Sequence, residues 1–162
     1  MRALLAGALL LALGGCGERE LPALEGAYQE NGVTVALAVR DHRLSATFTP
    51  RTGFHLYSAA LPEGGVDGLG FPTVLAAGAG LRATGPVVAD RAVTLLRPAG
   101  LGVELPVYPD GPVTLILPVE AGDGKPATAI IGYAACSATR CLMPVTDQSV
   151  PLTTTASTGT QR

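Results

Sequence analysis

Apolar and polar residues alternate over two adjoining stretches in the first third of the chain. Leu44-Ser45-Ala46-Thr47-Phe48-Thr49 sets an apolar side chain at every second position and stops at Pro50. Val33 to Val39, just before it, is rich in β-branched and apolar residues and is broken by Asp41-His42-Arg43. Alternation with period two marks a half-buried strand, so the two stretches predict a β-hairpin. Phe54 to Ser58, Ala92 to Leu96, Gly102 to Leu105, Val113 to Val119, Ala127 to Tyr133 and Ser149 to Leu152 are further strand candidates. Turn-forming clusters separate them, among them Pro62-Glu63-Gly64-Gly65, Pro98-Ala99-Gly100, Pro109-Asp110-Gly111-Pro112 and Gly122-Asp123-Gly124. Only Pro72 to Arg82 has room for a helical turn, and Gly78 and Gly80 weigh against it. There is no internal repeat. Short strands at regular spacing with Gly/Pro turns between them predict an all-β sandwich.

The N-terminus follows a different pattern. Arg2 is followed by an uncharged apolar run from Ala3 to Leu13. The run is too short to span a bilayer, which takes about 20 residues, but it has the length of a signal-peptide core. Leu13-Gly14-Gly15-Cys16 comes next, an apolar residue and two small ones before a cysteine. This resembles the lipobox of bacterial lipoproteins, which implies cleavage before Cys16 and lipidation of its thiol. The expected organisation is a signal peptide over 1–15, a polar tether over 16–24, a sandwich domain over 25–152 and a small, polar, disordered tail over 153–162. The protein is then expected outside the cytoplasm, anchored to a membrane rather than spanning it, and monomeric.

Composition narrows the class further. The 162 residues are 48% hydrophobic and only 15% charged, with a formal net charge of −2. A disordered chain needs the opposite balance. No basic excess offers a footprint for nucleic acid. The three cysteines, an odd number, divide into Cys16 and a close pair, Cys136 and Cys141.

That pair carries the candidate chemistry. A straight strand would hold the two Cα atoms roughly 16 Å apart at about 3.3 Å per residue, whereas a disulfide needs about 4.4–6.8 Å. A bridge therefore requires a hairpin with Ser137 to Arg140 as its loop, entered from Ala127–Tyr133 and left after Met143-Pro144. As a staple, such a short loop contributes only about 2 kcal/mol by chain entropy. A hairpin bridge at a sheet edge is open to an incoming thiolate, and Arg140 can lower the pKa of the adjacent Cys141 or simply solvate the loop. Spacing alone leaves three readings open: an exchanging pair, a structural disulfide in a non-catalytic interaction module, and a metal site adding His42 or His55 to the two thiolates. His55 and Tyr57 alternate on one strand and share a face, either for a contact near the cysteines or for cross-strand packing. Asp67, between glycines, reads as a turn residue.

Gly132-Tyr133-Ala134-Ala135-Cys136-Ser137-Ala138-Thr139-Arg140-Cys141-Leu142-Met143-Pro144-Val145-Thr146 resembles the cysteine signature of the DsbD N-terminal (alpha) domain family: Tyr, two residues, Cys, four or five residues, Cys, an apolar residue, Pro. The match runs on through Ser149-Val150-Pro151-Leu152. Weaker similarity covers Gly53 to Ser58, Gly65 to Thr73 and Gly111 to Val119, in the family's order. The resemblance implies an immunoglobulin-like β-sandwich whose Cys136 and Cys141 cycle between dithiol and disulfide, framed by Tyr133 and Pro144. It implies electron transfer from a membrane thiol reductase to thioredoxin-fold proteins, such as disulfide isomerases or cytochrome c maturation factors. No bound cofactor is then needed, because the cysteines carry the electrons. The family's cap-loop aromatic has no counterpart between Gly85 and Val107, the nearest aromatic being Tyr108.

Overall fold

The alternating stretches become the long strands of one sheet. The computed structural model describes residues 21–154, so the expected signal segment, Cys16 and the expected tail beyond Thr154 lie outside the described residues. The chain runs through β1 (Leu24–Glu30), β2 (Val33–Arg40), β3 (Arg43–Pro50), β4 (His55–Tyr57), β5 (Val74–Ala77), β6 (Leu81–Ala83) and β7 (Val88–Ala89). It continues through β8 (Thr94–Leu96), β9 (Leu105–Tyr108), β10 (Val113–Ala121), β11 (Thr128–Tyr133), β12 (Ala135–Cys136), β13 (Val145–Pro151) and β14 (Thr153–Thr154). No helix occurs among the described residues.

The large sheet has the order β14-β1-β2-β3-β10-β6, with β7 also on β10. Its centre is set by residue pairs that all face inward: Val35 opposite Phe48, Val39 opposite Leu44, Phe48 opposite Val113 and Leu44 opposite Leu117. Val33, Val35, Val39, Leu44, Phe48, Val113 and Leu115 are fully buried. Burying each such side chain contributes about 1.5–3 kcal/mol. The hairpin turns fit this twist. Asn31-Gly32 and Asp41-His42 both carry positive φ at their two central residues, the conformation that two-residue hairpins prefer.

Two smaller sheets, β13-β11-β5 and β12-β4-β9-β8, cover the inner face. Ile131, Ala129, Val150 and Leu75 from one, and Leu56 and Tyr108 from the other, join the residues of the large sheet in one core. The result is the all-β sandwich expected from the sequence. A second, smaller apolar cluster gathers Tyr57, Leu61, Leu105, Val107, Ala134 and Cys136 under the cysteine hairpin.

Several boundaries differ from expectation. Pro72 to Arg82 contains no helical turn. It supplies β5 and β6, because Val74–Ala77 adds an edge to β11 and Leu75 is buried there, while Gly80 at φ 70° reverses the chain. The strand expected at Gly102 to Leu105 instead occupies Leu105–Tyr108, since Gly102 at φ 65° belongs to the preceding turn. Thr153–Thr154, expected to open the tail, pairs with Leu24 and Glu25 on the edge of the large sheet.

Candidate functional site

The odd and even residues entering the cysteine hairpin face different cores. Tyr133 and Ala135 belong to the main core, whereas Ala134 and Cys136 belong to the small cluster. Cys136 is thereby brought onto β4, directly opposite His55. The chain then turns back. Ser137 N–H donates to the Arg140 carbonyl at 2.8 Å, and Leu142 N–H donates to the Ala135 carbonyl at 2.9 Å. The Ser137 hydroxyl also accepts from Arg140 N–H at 3.2 Å, which fixes the loop. The four-residue loop expected from the spacing is formed, and Cys136 and Cys141 are disulfide-bonded with Cα atoms 4.0 Å apart.

The two sulfurs sit in unlike surroundings. Cys136 is 3% exposed. Cys141 is exposed. The Tyr57 hydroxyl lies 3.3 Å from Cys136 Sγ, as a donor, and 4.0 Å from Cys141 Sγ. Burial pushes the Tyr57 phenol above its ordinary pKa, so it keeps its proton and remains a donor throughout the neutral range. His55 packs edge-on against Tyr57, with ring centroids 5.8 Å apart. The Nε2 of His55 is buried and has no hydrogen-bond partner. Burial lowers the His55 pKa, opposed in part by the negative charge of Asp110, so the ring is neutral at pH 7.

A cavity of about 590 Å³ opens beside the disulfide, lined by His55, Tyr57, both cysteines and Arg140 on one side. The segment after β8 forms the opposite wall with Arg97, Pro98, Ala99 and Leu101, of which Leu101 is 55% exposed. Apart from Arg97, this wall is aliphatic and carries no aromatic ring. Tyr108 does not reach it, because its side chain lies in the main core and its hydroxyl accepts from Ala59 N–H at 3.0 Å. Gly68, Leu69 and Gly70 complete the rim from a tight turn closed by reciprocal backbone bonds between Val66 and Leu69. Asp67 is the turn residue expected, at φ 51°. At Gly65, φ 69°, a Cβ would come within 2.1 Å of the Leu69 carbonyl oxygen, so only glycine fits.

The expected site residues divide accordingly. Arg140 lines the cavity with its guanidinium 5.8 Å from the Phe54 ring centroid, and Arg51 stands over the same ring at 4.1 Å. Tyr133 does not frame the pair with its side chain. It is fully buried against Phe48, and its hydroxyl donates to the Glu30 carbonyl at 3.0 Å. Pro144 is exposed, leads into β13 and stands outside the cavity lining. Of the two histidines, His55 is brought to the cysteines, while His42 sits in the β2–β3 turn. Among the described residues, no group of three or more His, Cys, Asp or Glu side chains is arranged to hold a metal ion.

Comparison with solved structures adds a likeness. The chain is similar to the DsbD N-terminal domain of Neisseria meningitidis. That structure, of the reduced form, shares 16% identity, with 80% of this chain and 83% of that chain covered at a TM-score of 0.49. No family model and no curated protein matches the chain.

Proposed function

We propose that the protein is a thiol–disulfide oxidoreductase of the protein-disulfide reductase type, acting outside the cytoplasm through Cys136 and Cys141. The asymmetry of the disulfide carries this reading: one sulfur faces solvent at a cavity, and the other is buried under a hydroxyl donor. In the reduced protein, the Cys141 thiolate attacks the disulfide of a partner, and Arg140 beside it favours the charged form. A mixed disulfide forms and the first partner sulfur leaves. Cys136 then attacks Cys141 Sγ, the mixed disulfide breaks, and the partner departs as a dithiol with two electrons and two protons. In the reverse direction, the attacked sulfur is Cys141, the accessible one. Cys136 leaves as a thiolate that the Tyr57 hydroxyl stabilises by a charge-assisted hydrogen bond.

The resemblance of Gly132 to Thr146 to the DsbD cysteine segment supports a membrane thiol reductase as electron donor and thioredoxin-fold proteins as acceptors. Lipidation of Cys16 would keep the domain at the membrane face, where tethering raises its effective concentration toward such a reductase. A Cys16→Ala variant is then expected in the soluble rather than the membrane fraction. The function itself is tested by trapping. Cys136→Ala, which retains the attacking thiol, is expected to accumulate a mixed disulfide with a thioredoxin-fold protein in its native envelope, and Cys141→Ala to accumulate far less. If neither variant traps such a protein, the electron-carrier role is wrong.

A further inference from the structure

The exchange steps above leave His55 without a task, and its position is specific. It is the register partner of Cys136 across β4 and β12, and directly opposed residues of an antiparallel pair project to the same face. It lines the same cavity as both sulfurs. Its Nε2 is buried and bonded to nothing, although a buried polar atom left unpaired costs about 1–3 kcal/mol.

We propose that His55 is the proton acceptor and donor for Cys136 during resolution of the mixed disulfide, a role that rests on the exchange function above. The chemistry requires such a group on that side. Cys141 is exposed and ionises to solvent. Cys136 is 3% exposed, and a buried thiol is a poor acid and hence a poor nucleophile. In the resolving step, the Cys136 thiol gives its proton to the neutral imidazole as its sulfur attacks Cys141 Sγ. The Cys136–Cys141 bond forms, the Cys141–partner bond breaks, and the bond pair leaves on the partner sulfur. The imidazolium then passes its proton to that leaving thiolate or to solvent and returns to the neutral form. When the domain is itself reduced, the same proton travels back onto the departing Cys136 sulfur.

The groups facing the ring favour this cycle. Tyr57 on the same strand holds its proton and donates to Cys136. Arg140 from the hairpin and Arg97 from the segment after β8 line the same cavity. Asp110 from the β9–β10 turn favours the imidazolium and works against burial. Burial dominates and keeps the resting ring neutral, the form a proton acceptor needs.

Oxidised glutathione serves as the probe. The reduced full-length protein is mixed with it across a pH series, the reaction is quenched with acid, and the glutathione adduct is followed by intact mass. The wild type is expected to form the adduct transiently, with a resolution rate that falls only below the usual imidazole range. His55→Gln and His55→Phe are expected to accumulate the adduct. Their resolution is expected to be about a hundredfold slower at neutral pH and to climb steadily with pH, while the first attack by Cys141 keeps the wild-type rate. Resolution at the wild-type rate and pH profile in both variants would overturn the role. So would loss confined to His55→Gln, because His55→Phe keeps the ring that packs on Tyr57 and would then show that packing suffices. A wild type that forms no adduct at all overturns the exchange function, and this role falls with it.

Discussion

Phe48 and His55 are close in sequence and opposite in circumstance. Phe48 sits on an eight-residue strand, fully buried, flanked by Val35 and Val113 and edge-on to Tyr133. Its neighbours at every second position on β2, β3 and β10 are in the same state. His55 opens a three-residue strand beside a half-exposed disulfide, with a buried nitrogen that bonds to nothing. The first region is built from regular strands whose side chains exclude water. The second is built from short strands and turns that leave polar and sulfur atoms partly unsatisfied. The contrast teaches a division of labour. A sheet stabilised at about 1.5–3 kcal/mol per buried side chain offsets, at a distance, a corner that carries an unpaired polar atom at about 1–3 kcal/mol.

Four substitutions or conditions test that division. The largest effect is expected from Phe48→Ala, which should lower the unfolding free energy by about 3–5 kcal/mol in denaturant titration and leave the reduction potential of the folded protein unchanged. A shifted potential would mean that the two regions are coupled. Tyr57→Phe should do the reverse. Removing the hydroxyl at Cys136 Sγ should raise the Cys136 thiol pKa by about one unit, equivalent to about 1.4 kcal/mol, in an ultraviolet thiolate titration, with little change in stability of the oxidised protein.

Tyr133→Phe sharpens the boundary between the regions. It loses the bond to the Glu30 carbonyl and about 1 kcal/mol of stability, and the thiolate titration should match the wild type. A changed titration would return Tyr133 to the site. The smallest effect is a pH dependence. The pKa of His55 is lowered in the folded state from about 6.5. Between those two values the unfolded chain binds the extra proton, so stability should fall as pH drops below about 6.5 and should not respond to this group above it. His55→Phe should flatten that fall relative to wild type in parallel unfolding series. An identical slope in both proteins would remove His55 from the balance.

The same contrast governs what could be read from the residues alone. The long strands were legible because Leu44-Ala46-Phe48 and Val113-Leu115-Leu117 alternate cleanly, and alternation also fixes their register. The hairpin between the cysteines was legible because five residues cannot bring two sulfurs together in any straight conformation. β1 escaped notice because Leu24–Glu30 is mostly polar or small and buries little beyond Leu24. Val74–Ala77 escaped because Leu75 is its one buried side chain, between a half-buried Val74 and two alanines. The position of Tyr133 was hidden by parity: Ile131 and Tyr133, two residues apart, both face the main core, and Cys136, three residues on, faces the other way. The pairing of His55 with Cys136 had only a shared face with Tyr57 to announce it. Which strand would lie opposite is a long-range property of the sandwich, and no local pattern encodes it.

The central claim is that the Cys136–Cys141 disulfide exchanges rather than staples. Its equilibrium reduction potential tests this most directly, measured on the full-length protein by titration against glutathione or dithiothreitol with thiol alkylation and mass readout. An exchanging pair predicts a potential above about −300 mV. A value below that would make the disulfide a structural staple and contradict the account.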